Sequence, residues 1–235
     1  MHTYFFKNIK ILYNNYYKIY DVKGRIIKIS FGILFLVLLK SIFDPAQMDY
    51  LYLSSQGEIL SDVDTIYDYT VPMLSCCIIT YAFYNDYKNK TYELITFFNH
   101  YKFNYIVFCR WLLYTSIFII GSVITAVMYY RTVSFLDIRN IILALRFIPN
   151  IVFLTSLILV ITTGAQNIYA GIFITTAYTV CDYLSSGRIF KILSIGANTN
   201  NFYYTISPSY YISNRLIILT IGILNIYIAG KLSSK

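Results

Sequence analysis

The chain alternates long apolar runs with short polar or charged intervals, and six of the runs reach the length that a helix needs to cross a bilayer. They cover residues 26–43, 67–84, 105–130, 141–162, 168–184 and 212–230. A span takes roughly 20 mainly apolar residues, within a range of about 17 to 25, to match the hydrocarbon thickness. Only Thr163-Gly-Ala-Gln-Asn167 separates the fourth run from the fifth, and it reads as a tight turn. The pattern predicts an all-α integral membrane protein with six transmembrane helices in one domain over residues 26–235, preceded by an arm over residues 1–25.

From Tyr4 to Tyr20 that arm interleaves aromatic and basic residues. A helix lying in the membrane interface has this makeup, with rings at headgroup level and lysines turned to water. Nucleic-acid-binding segments share the interleaving, but next to a span the interfacial reading accounts for it, and no nucleic-acid partner is expected. The first strongly apolar run begins near Ile26 and no small-residue cleavage pattern follows, so the first helix is expected to be retained. The segment from Gly187 to Tyr211 is polar and Asn-rich and contains Pro208; it is expected to carry one or two short helices at the opposite surface.

Composition agrees with a membrane domain. The chain is 57% hydrophobic and 13% charged, with a mean hydropathy of +0.58, where a soluble domain is about half apolar and a quarter charged. No stretch outside the runs is apolar enough to build a separate catalytic core. The net charge of +8 sits at the ends of the runs. Lys7, Lys10, Lys18, Lys23 and Arg25 lie in the arm, Lys88, Lys90 and Lys102 between the second and third runs, and Lys231 and Lys235 in the tail, whereas residues 44–66 hold no Lys or Arg. The positive-inside rule then puts both termini and the second-to-third connector in the cytoplasm, against a weaker set of Arg131, Arg139, Arg188 and Lys191 outside. Ionisable residues inside the runs are Lys28, Lys40, Asp68, Arg110, Arg146, Asp182 and Arg215. All lie near run ends, where the basic side chains are expected to snorkel and the aspartates to sit at the interface, leaving no ion pathway at mid-membrane.

Catalytic and metal-binding patterns are missing from the sequence. It has no GxxxxGK[ST] phosphate loop, no HExxH, only His2 and His100 as histidines, and four cysteines, Cys76, Cys77, Cys109 and Cys181, outside any CxxC spacing. No catalytic residue, metal site or cofactor site is therefore expected in this chain. Ser185, Ser186 and Lys191 are close in sequence without a helical frame that pairs them, and the sequon Asn89-Lys90-Thr91 falls on the expected cytoplasmic side. Ser75, Ser122, Asn150, Thr155, Ser156, Thr175 and Thr176 either bond between helices or line a substrate path. Pro72 and Pro149 permit kinks.

The connector between the second and third runs is compact and charged. If it is helical, Tyr92, Ile95 and Phe98 or Asn99 recur at helix spacing, with Lys88, Lys90, Glu93 and His100 at polar positions. It reads as a surface helix or as a solvated link. Together with the interfacial arm, the six spans and the shared side of both termini, this arrangement resembles the ABC-2 type permease family, the membrane subunits of bacterial ABC transporters. Lys90-Thr-Tyr-Glu93-Leu94, followed by Arg110, is similar to the family's glutamate-leucine and downstream basic pattern. Where the family often has a Pro-Val-Ser-like turn, this chain has Phe98-Asn-His100.

The resemblance implies a coupling helix that docks on a separate cytoplasmic ABC ATPase. Lys90, Tyr92, Glu93, Leu94, Phe97 and His100 would be its partner-binding residues, with Glu93 as the acidic contact. It also implies a second permease subunit, identical or different, in the same cell membrane, embedded in lipid, and ATP and magnesium held by the ATPase rather than by this chain. The expected function is export of amphipathic or hydrophobic substrates. Abundant Ile, Asn, Lys and Tyr point to an AT-rich genome such as that of a low-GC Gram-positive bacterium, and by analogy to antimicrobial or cytolytic peptides as cargo, in export or immunity. The alternative is a non-transporting scaffold or sensor that docks the same ATPase.

Overall fold

The computed structural model describes residues 24–46, 65–88, 103–132, 138–196 and 208–233, and every regular element among them is helical. Gly24 (φ 64°) stands before α1, Arg25–Phe43, which is closed by Asp44 donating its N–H to the Lys40 carbonyl. A π-helical turn, Ile66–Thr70, leads into α2, Val71–Lys88. After the connector come α3, Phe103–Tyr129, and a short α4, Ile138–Leu145. The rest is α5, Ile148–Ala165, α6, Ile168–Leu184, and α7, Pro208–Leu232. Five stretches are long and apolar enough to cross a membrane: Arg25–Phe43, Ile66–Lys88, Tyr105–Tyr129, Ile148–Ala165 and Tyr210–Leu232. Helix α6, at 17 residues, is shorter.

The fourth predicted run, 141–162, is not one helix. It breaks at Arg146 and Phe147 because Pro149 has no N–H to donate and its ring favours the first turn of a helix, so a new helix starts there. The Asn150 N–H closes the new turn on the Phe147 carbonyl at 3.1 Å. Arg146 is held at the break by the Tyr130 hydroxyl, 3.0 Å away, and lies over the Tyr130 and Phe147 rings. The last run, predicted as 212–230, is longer at its start, since Pro208 begins α7 instead of lying in a loop. Its partner expectation, short helices between the last two runs, is met only by turns and one 3₁₀ turn, Lys191–Leu193, among the described residues. The turn after α5 is as expected: Gln166 adopts φ 50° and the Asn167 side chain caps α6 by accepting from the Tyr169 N–H at 2.9 Å.

Helix α5 is the centre. Asn150 through Ser156 are all buried, so the helix is enclosed on every side. Helix α7 lies along it at Gly222, where an added Cβ would stand 3.0 Å from Val152 and 3.3 Å from the Phe153 backbone. Helix α6 closes on it at Gly171, where a Cβ would meet the Ile158 carbonyl oxygen at 3.0 Å. Close approach through small residues substitutes for the hydrophobic driving force that lipid does not supply between helices. Helices α2 and α6 run antiparallel, with Tyr69 touching Asp182, Met73 touching Thr179 and Tyr84 near Tyr169.

These contacts sort the bundle into two ends. At one, Ser41 meets Tyr67 at 2.7 Å, and Arg131 caps the last carbonyls of α1 at Ser41 and Ile42. At the other, α2 leads into the connector and α3 returns from it, and α1 begins and α7 ends on that same side. Outward positions such as Phe31, Phe35, Phe173, Ile223 and Tyr227 are apolar and exposed, as helices facing hydrocarbon require.

Candidate functional site

Three arrangements carry the polar chemistry. The first clamps the connector end. Asp86 near the end of α2 and Arg110 near the start of α3 form an ion pair with both residues buried, at 4% and 2% exposure. Arg110 also donates to the Ala82 carbonyl and lies 4.3 Å over the Phe83 ring. The next residue, Trp111, donates its Nε1–H to Thr155 Oγ1 at 3.1 Å, which carries the clamp to the central helix. A buried charge must be paired or it costs several kcal/mol, so α2 and α3 are held together where the connector leaves them. The predicted partner-binding residues Lys90, Tyr92, Glu93, Leu94, Phe97 and His100 lie outside the described residues, as does the arm predicted to be interfacial up to Lys23.

The second arrangement is a recess of about 400 Å³ between α2 and α6, floored by Ile158 of α5. Met73, Cys76, Cys77, Tyr81 and Ile172 make it largely apolar, and Thr80, Thr175 and Thr176 supply hydroxyls. Thr175 is buried, and its Oγ1 has no hydrogen-bond partner. An apolar recess with a few polar groups is the usual form of a site for a small amphipathic molecule.

The third lies at the end opposite the connector. Asn150 Nδ2 reaches Asp68 Oδ1 at 3.0 Å and the Ile195 carbonyl at 3.0 Å, while its Oδ1 accepts from Arg215 at 2.5 Å. Asn150 also reaches the Asp68 carbonyl at 3.4 Å, four residues before Pro72, which has no N–H to give it. Asp182 Oδ2 accepts from Tyr69 at 3.1 Å, from Ser194 Oγ and the Ile195 N–H at 3.0 Å each, and from the Gly196 N–H at 3.3 Å.

Two expectations change here. Arg110 and Arg215 do not snorkel outward, being 2% and 7% exposed, and Asp68 and Asp182 are fully buried, because each finds partners on a neighbouring helix. The span hydroxyls mostly bond within their own helices: Ser75 to Pro72, Ser122 to Ile119, Thr155 to Ile151 and Ser156 to Phe153. Thr155 also accepts from Trp111, and Thr175 and Thr176 line the recess. Ser185 Oγ donates to the Asp182 carbonyl at 3.3 Å. The Asp86–Arg110 pairing went unread in the sequence, although an acid ending one run and a base starting the next is the signal for it. Among the described residues no three His, Cys, Asp or Glu side chains group as metal ligands would. Comparison with known protein families, curated proteins and solved structures finds no match for the chain.

Proposed function

We propose that the chain is the membrane-spanning permease subunit of an ABC transporter of the ABC-2 type. With a second permease and two separate ATPase subunits it exports amphipathic or hydrophobic substrates, antimicrobial or cytolytic peptides first among them. The observation that carries this reading is the Asp86–Arg110 clamp across the two helix ends that flank the connector. A push on that connector reaches α2 and α3 as one body, and through Trp111 and Thr155 it reaches α5. A chain of packed and bonded side chains of this kind can carry a displacement from one end of the bundle toward the other.

In this reading α6 is a sixth span at the short end of the usual range. The recess between α2 and α6 suits the apolar part of a substrate, and the residues around Glu93 are the contact on which the ATPase docks. The sequence lacks a phosphate loop, so hydrolysis belongs to the partner.

The docking role is tested by purifying the tagged full chain from the membranes of its own host and assaying ATP hydrolysis in the preparation. The wild-type chain is expected to bring ATPase activity with it and Glu93→Lys to lose it. Equal activity and equal complex formation in both would remove Glu93 from the docking surface.

A further inference from the structure

We propose that residues 191–196 form a strap that docks on the bundle and opens from it locally, with Asp182 as the latch. The strap is the 3₁₀ turn Lys191–Leu193 followed by non-helical backbone at 194–196, laid into the end opposite the connector, and Ser194, Ile195 and Gly196 are all buried. Irregular backbone buried this way must have its polar groups satisfied by the protein around it.

Much of that satisfaction comes from side chains of the helices. The Ile192 and Ser194 carbonyls accept from Asn214 at 2.7 and 3.0 Å. The Ile195 carbonyl accepts from Asn150 and Arg215, and the Leu193 carbonyl from Tyr178. The Ile195 and Gly196 N–H groups and the Ser194 hydroxyl all converge on one atom, Asp182 Oδ2. Side-chain bonds of this kind release by rotamer changes and leave the helices' own ladders intact. Asp182 Oδ1, Asn214 Oδ1 and Arg215 Nε are buried beside the strap without partners, so docking leaves polar groups unsatisfied that opening would hydrate.

The segment leading into the strap is built to bend. Ser186 and Lys191 hold φ at 51° and 50°, in the left-handed region that non-glycine residues adopt at a cost, and Gly187 lies between them at 73°. On the facing helix the π turn Ile66–Thr70 presents Asp68 and Tyr69 to the same cluster, and single π turns of this kind are frequent at functional sites. Strained entry, docking through side chains and a buried plug at Ile195 together make an element with two states, closed and open.

Hydrogen exchange of the full chain in nanodiscs tests this. In the parent, amides of 191–196 should exchange through a local opening, faster than those of α5. Asp182→Asn, which removes the charge that gathers three strap donors, should raise exchange over 191–196 by about tenfold or more while α5 and α6 stay unchanged. Ser194→Ala, placed on the strap and removing one of those bonds, should raise it by about fivefold; it serves alone if Asp182→Asn does not fold. Exchange over 191–196 unchanged by the variants, or raised in equal proportion in α5 and α6, would overturn the proposal, since the segment would then belong to the bundle's single cooperative unit.

Discussion

Gly171 and Gly32 lack the same side chain in opposite surroundings. A Cβ at Gly171 would stand 2.2 Å from Thr162 Oγ1 and 3.0 Å from the Ile158 carbonyl oxygen, whereas nothing lies within 4 Å of one at Gly32. Gly171→Ala should therefore force α6 away from α5 at a cost of about 1–3 kcal/mol, the usual range for overpacking. Gly32→Ala should be neutral or stabilising by up to about 1 kcal/mol, since alanine is the better helix former. Thermal unfolding of the purified chain in detergent separates the two, and an equal loss in both would mean that the α5–α6 contact is not close. Neither difference is visible in the sequence, where both positions read simply as glycine within an apolar run.

At the scale of elements, the α2–α3 hairpin is governed by one buried ion pair. Asp86→Asn or Arg110→Gln alone should each cost about 3–5 kcal/mol by leaving a buried charge without its partner, and the double substitution should restore much of that loss. Denaturation of the four proteins closes the cycle; additive losses would mean that the residues do not depend on each other. The helices themselves were legible in the sequence, because length and apolarity alone mark a span, and α6 begins and ends where its run does, at Ile168 and Leu184. The break at Arg146 was not, since a run of apolar residues shows no boundary and Pro149 reads equally as a kink or a start. Pairing was also hidden. Asp68, Asp182, Arg110 and Arg215 look like interface residues one at a time, and only the packing of their helices brings partners together, antiparallel for Asp86 with Arg110 and Tyr69 with Asp182, and in the same direction for Asp68, Asn150 and Arg215.

At the scale of the molecule, the longer helices among the described residues, α1, α2, α3, α5, α6 and α7, alternate in direction, and the connector leaves and returns at the end where α1 begins and α7 ends. The clamp there, the central α5 and the strap at the far end lie along one chain of contacts, from Arg110 and Trp111 through Thr155 to Asn150 and Ile195. The most direct test is ATP hydrolysis in vesicles that hold the chain together with the ATPase that copurifies with it, measured with and without an added amphipathic peptide. The transporter reading predicts hydrolysis that rises with peptide and loses that dependence in the Asp86→Asn variant. Hydrolysis indifferent to every amphipathic substrate offered, with the complex intact, would contradict it and leave a scaffold.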